Sequence, residues 1–211
     1  MLSYCNLPYA YHTIGSSMAT SCEAYCKQGG MNKRKAGEDF YFLNKIMQLG
    51  NFHELKTTTV RPSPRISSRV PFGTGKAVND IVNHKRQTAY NPLIFEQIKI
   101  FTGRLDKLYN NEFLEFIIPI DISTYLLNIG IEEALSEIKT HVGNIDSFKK
   151  RFYVWFDAFK VLKCIHYLRD NYFIDIPVLI ASMKLLELLA IESSEKDERA
   201  HLNLCRELDI K

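Results

Sequence analysis

Apolar positions recur at spacings of three and four through most of the second half of the chain. They predict helices over residues 92–109, 123–128, 131–142, 147–172, 177–191 and 195–208. The longest of these carries Phe148, Phe152, Trp155, Phe159, Leu162 and His166 in steps of four and three, a single stripe that reads as core. His166 closes the stripe without a second ligand spaced to join it, and so reads as a hydrogen-bonded, half-buried histidine.

Before residue 90 the pattern is shorter and mixed. An extended run over 11–20 leads into a short helix ending at Gln28 and a turn at Gly29-Gly30. A helix is expected over 38–49, stopped by Gly50, and a strand over 52–60, where Thr57-Thr58-Thr59-Val60 carries a β-branched bias. Pro62 and Pro64 hold residues 61–69 extended, and Gly73-Thr74-Gly75 turns into a helix over 76–85. Asn91-Pro92 marks the boundary between the two patterns. The expected fold class is α/β over residues 1–90, followed by an all-helical region over 91–211, and predominantly helical overall.

The most apolar window, 174–191, is interrupted by Asp175, Pro177, Lys184 and Glu187, which a bilayer core would penalise. It reads as a buried helix, and no transmembrane segment is expected. The first eight residues have neither a basic n-region nor an apolar h-region, so no signal peptide is expected. Cys5, Cys22, Cys26, Cys164 and Cys205 form no regular framework in a chain of 211 residues, which favours a reducing compartment. The expected location is the cytoplasm, with a peripheral position at the inner face of the membrane left open.

Charge divides the chain further. The formal net charge is +3, but residues 1–90 hold 12 Lys and Arg against 5 Asp and Glu, while residues 91–211 hold 15 against 19. The first region therefore attracts an anion such as a phosphate, a diphosphate or nucleic acid.

The candidate chemistry sits in that region, as His12 to Ala19, Gly29-Gly30-Met31, Arg34-Lys35-Ala36-Gly37-Glu38-Asp39-Phe40, Arg61-Pro62-Ser63-Pro64-Arg65, and Arg69-Val70-Pro71-Phe72-Gly73-Thr74-Gly75. Glycines at 29 and 30 let the backbone turn tightly, and carboxylates at a helix start are held ionised. In order and spacing the set resembles the acceptor-side half of the catalytic domain of family-two glycosyltransferases, which have the GT-A fold. The resemblance implies that Asp39 is the general base, taking the proton of the acceptor hydroxyl in an inverting displacement, and that Glu38 orients it or the acceptor. It implies acceptor contacts at His12, Gly29, Gly30 and Arg34, and diphosphate contacts at Arg65, Arg69 and Lys76. The implied partners are a nucleotide-sugar donor and a sugar or lipid-linked acceptor.

The complete family domain binds its donor through an Asp-x-Asp motif and a divalent metal, Mn or Mg. These 211 residues contain no Asp-x-Asp, and they support no metal by themselves. The expectation is a truncated chain that lacks the donor-binding half and is inactive alone, and that self-associates or pairs with a separate donor half. Three other readings stand beside it. Glu38-Asp39 reads equally as an ordinary acidic first turn. The basic first region with its tyrosines reads as a nucleic-acid-binding module, although no recognised motif accompanies it. The helical second region reads as an interaction module. Gly73-Thr74-Gly75-Lys76 is not a phosphate-binding loop, because Val70 and Ala77 stand where a glycine and a Ser or Thr are required.

Overall fold

The structure is a computed structural model that describes residues 1–13, 17–33, 37–55, 57–58, 60–61, 63, 65–66, 73–83, 87–111, 118–192 and 197–210. It is predominantly helical, and it divides into two compact units, Tyr11–Gln87 and Met1–Ala10 with Thr88–Asp209.

The first of these units holds three helices: α1 (Cys22–Lys27), α2 (Glu38–Met47) and α3 (Thr74–Val82). Ser21 caps α1 by accepting a bond from the Ala24 amide at 3.2 Å, which satisfies one of the free N–H groups of the first turn. Phe42 and Leu43 of α2 are its buried hydrophobic residues among those described. Tyr25 packs on Phe42 with ring centroids 5.4 Å apart, and the Tyr11 hydroxyl donates to Asn44 Oδ1 at 3.2 Å. The strand expected over 52–60 is not formed among the described residues, nor is one formed in the run 11–20. A β-branched run becomes a strand only where a neighbour takes its N–H and C=O groups, and the described residues of this unit supply no such neighbour.

The larger unit contains a short ribbon and eight helices among the described residues. They are α4 (Leu93–Thr102), α5 (Leu105–Tyr109), α6 (Ile120–Asn128), α7 (Ile131–Thr140), α8 (Ile145–Trp155), α9 (Ala158–Asn171), α10 (Val178–Leu188) and α11 (Glu198–Ile210). The ribbon pairs β1 (Thr88–Ala89) with β2 (Ile176–Pro177), antiparallel, with Thr88 opposite Pro177 and Ala89 opposite Ile176. Two-residue strands are too short to leave an alternating pattern that a sequence could show.

One core joins α4 to α9. Phe101, Phe148, Phe152 and Phe156 are all fully buried. Phe101 meets Phe152 and Phe156 edge to face, with centroids 5.9 and 5.5 Å apart, and Phe152 lies 6.0 Å from Phe148. Such pairs add about 0.5–1.5 kcal/mol beyond the area they bury. The chain start belongs to the same core. Cys5 and Leu7 are buried, the Cys5 thiol donates to the Phe95 carbonyl at 3.1 Å, and the Thr102 hydroxyl donates to the Cys5 carbonyl at 2.7 Å. The Tyr9 hydroxyl donates to the Tyr153 carbonyl, and the Lys99 ammonium stands 3.6 Å from the centre of the Tyr4 ring.

The helix expected over 147–172 is two helices. Phe156 leaves helical geometry at φ −85°, ψ 64°, and the Asp157 side chain accepts a bond from the Lys160 amide at 2.8 Å, starting α9 afresh. The apolar stripe is reset by that break. Phe148 and Phe152 are core as expected, but Trp155, Phe159, Leu162 and His166 are only half-buried, and Val161, Cys164, Ile165 and Leu168 fill the interior instead. An Asp able to cap in extended geometry ends one helical phase and begins another, which periodicity alone does not register.

Replacing Phe152 by Ala should lower stability by about 3–5 kcal/mol, read from urea unfolding. Val154→Ala, at a site 67% exposed, should change it little. Burial also pushes the Cys5 thiol and the Tyr153 hydroxyl up to about 12. The unfolded chain loses these protons first, so their contribution is complete below the ordinary thiol and phenol range and is lost as pH rises toward 12. Urea midpoints should therefore fall between about pH 9 and 12, and Cys5 should resist thiol reagents at pH 8 while exposed Cys22 and Cys26 react.

Candidate functional site

The first turn of α2 holds the two acidic residues singled out in the sequence. Gly37 precedes it in the left-handed region, φ 75° and ψ 12°, and provides no side-chain cap. A glycine is suited to that conformation, which costs other residues about 1 kcal/mol or more. Glu38 and Asp39 follow directly, both half-buried, and Asp39 Oδ1 accepts a bond from the Phe40 amide at 2.8 Å. Free N–H groups of the first turn lie beside both carboxylates.

Gly29 and Gly30 have a local structural reason. Gly29 donates to the Cys26 carbonyl at 3.0 Å and Gly30 to the Tyr25 carbonyl at 2.9 Å, the paired bonds that close a helix through a left-handed residue. Both glycines have positive φ, 67° and 72°. A Cβ on Gly30 would lie 3.0 Å from the Tyr25 ring, so the turn is pressed against the same tyrosine that packs on Phe42 of α2. Tyr25 thereby joins the glycine turn to the helix whose first turn holds the acid pair.

The remaining expected site residues are distributed along the same unit. His12 is exposed. Arg65 is exposed in a loop where its own amide bonds the Ser63 carbonyl at 2.9 Å. Lys76 is exposed on α3 and pairs with Asp80 at 3.6 Å, one helical turn on. Arg34 and Arg69 lie outside the described residues. No group of three or more His, Cys, Asp or Glu side chains converges among the described residues, and the sequence has no Asp-x-Asp. No chemical step is assigned to a divalent metal.

In the larger unit, His166 is half-buried and bonded to the Tyr90 hydroxyl at 2.9 Å, as the sequence indicated. Its partner was not legible, because Tyr90 lies 76 positions away. Arg169 stands 5.9 Å from the Tyr90 ring centre and bonds Asp170 through Nε at 2.7 Å, so the group is a compact polar clasp beside the ribbon. A separate groove of about 720 Å³ runs along α10 and α11, lined by Ile180, Met183, Leu186 and Ile191 with His201.

Gly30→Ala should shift a left-handed residue into Tyr25 and destabilise the chain by about 1–2 kcal/mol, with a loss of α1 contacts in amide-exchange measurements. Restoring space with Tyr25→Ala in the same chain should not recover the loss from backbone strain. No protein-family model, no curated protein and no solved structure matches this chain.

Proposed function

We infer that residues 11–87 form the acceptor-side, base-bearing half of an inverting family-two glycosyltransferase domain. The observation that carries this reading is the arrangement at Gly37-Glu38-Asp39. There a glycine in left-handed geometry delivers two half-buried carboxylates to a helix start. A carboxylate so placed is positioned to act as a general base.

In the proposed reaction the Asp39 carboxylate takes the proton from the acceptor hydroxyl as its oxygen attacks the anomeric carbon. The new carbon–oxygen bond forms on the face opposite the nucleoside diphosphate, the bond to that diphosphate breaks, and the configuration inverts. Glu38 holds the acceptor or Asp39 itself, and His12 lies on the segment that approaches the acceptor. The leaving diphosphate meets exposed Arg65 and Lys76, of which Lys76 must first give up Asp80.

The reading requires a donor-binding half supplied by polypeptide outside these 211 residues. One feature supports that requirement. Phe42 and Leu43 are the buried apolar side chains of this unit among the described residues, while Leu55, Ile66, Ile81 and Val82 are more than half exposed. Among the described residues of 52–60 no strand is formed, so the reading needs its sheet neighbours to come from the donor half.

The test is transfer from a nucleotide sugar after the chain has been completed with a family-two donor-binding half. Asp39→Asn should lower turnover by about 10²- to 10⁴-fold and leave nucleotide-sugar binding unchanged. Full turnover in the variant would remove Asp39 as the base, and no transfer by the completed wild-type chain would overturn the reading itself.

A further inference from the structure

The geometry points to a docking surface for an anionic lipid bilayer on α8 and the start of α9, formed by Lys150, Arg151, Val154, Trp155 and Lys160. It rests on the larger unit alone and is independent of the transferase reading.

Charge supplies the first argument. Outside residues 145–163, the 91–211 region holds 10 Lys and Arg against 17 Asp and Glu. Residues 145–163 reverse that balance, with Lys149, Lys150, Arg151, Lys160 and Lys163 against Asp146 and Asp157. Asp157 is turned to its own backbone, capping α9 through the Lys160 amide at 2.8 Å. Lys149, Lys150 and Arg151 are exposed, and none of the three makes an ion pair among the described residues. A local cationic surface on an otherwise acidic region is matched to a surface of opposite charge.

The apolar residues decide which anionic surface. On α8 the buried side is Phe148 and Phe152, and positions 150, 151 and 154 recur at helical spacing on the outward side. Val154 is 67% exposed there, one turn from Lys150 and Arg151. Trp155 lies half-buried beside it, at the helix end. The Lys160 ammonium donates to the Trp155 carbonyl at 2.7 Å and stands 5.3 Å from the centre of its ring. A cationic rim around an exposed aliphatic side chain and a half-buried tryptophan fits the boundary between headgroups and acyl chains.

Nucleic acid would use such a surface differently, by stacking bases on an open aromatic face. Trp155 is half-buried and packed against the core. Phe156 stacks against it at 6.0 Å and 29°, Phe152 crowds it at 5.6 Å, and Lys160 covers it from the other helix.

Trp155 is the only tryptophan of the chain, so the intact protein carries its own reporter. Vesicles of phosphatidylcholine with an equal part of phosphatidylglycerol should shift its emission to the blue and carry the chain down on sedimentation. Phosphatidylcholine alone should do neither. Raising salt from about 0.1 M to about 1 M shortens the screening length from about 10 Å to about 3 Å and should release the chain. Lys150→Gln with Arg151→Gln should weaken binding about 25-fold, at about fivefold for each charge removed. Val154→Asp should weaken it as well, and both sites are exposed enough that the far-UV spectrum should stay unchanged. Equal binding to neutral vesicles, no binding, or binding indifferent to these substitutions would overturn the proposal. So would binding of a mixed-sequence oligonucleotide that Val154→Asp leaves intact and that vesicles do not displace. None of these outcomes involves a nucleotide sugar, so they leave the transferase test separate.

Discussion

Phe101 of α4 and Phe148, Phe152 and Phe156 along α8 and its end come from two segments of chain, and their mutual contact sets where the helices of the larger unit can lie. A close-packed aromatic cluster tolerates little displacement, because each ring edge fills the space left by its neighbour. The α4 helix must present Phe101 to α8. The turn after α8 must place Phe156 inward, and the chain start must cover the end of α4 with Cys5 and Leu7. The hydrogen bonds along that start, from Cys5, Thr102 and Tyr9, satisfy polar groups that this burial would otherwise strand.

The inward turn at Phe156 has a consequence on the outer surface. Because α8 stops at Trp155 and α9 restarts from the Asp157 cap, Trp155 is left at the helix end instead of in the interior. Lys160 can then reach back to the Trp155 carbonyl and ring from the first turn of α9. The same backbone break that completes the core thus leaves Trp155 half-buried at the helix end beside Lys160.

The smaller unit is governed by local rules more than by a core. Ser21 starts α1, Gly29 and Gly30 stop it, and Gly37 opens α2 onto Glu38 and Asp39. Each of these has a sufficient backbone explanation. What those explanations leave unassigned is their combination: two carboxylates at one helix start, joined through Tyr25 and Phe42 to a glycine turn, in a unit with several uncovered apolar side chains. That combination is what the proposed transferase reading rests on.

Periodicity in the sequence determined that the second region is helical, that Phe148 and Phe152 are core, and that His166 is a bonded, half-buried histidine. Local chemistry determined the stop at Gly29-Gly30 and the acidic first turn of α2, since caps and left-handed glycines depend on neighbours within a few residues. Tertiary structure alone decided the rest. Whether residues 52–60 become a strand depends on a pairing partner, and whether Phe159 or Phe156 is buried depends on where Asp157 restarts the helix. The ribbon of Thr88–Ala89 with Ile176–Pro177, the Tyr90–His166 bond and the docking of Cys5 on α4 join positions tens of residues apart. Contacts of that range leave no periodic trace in a single sequence, because they are set by packing and not by the neighbours along the chain.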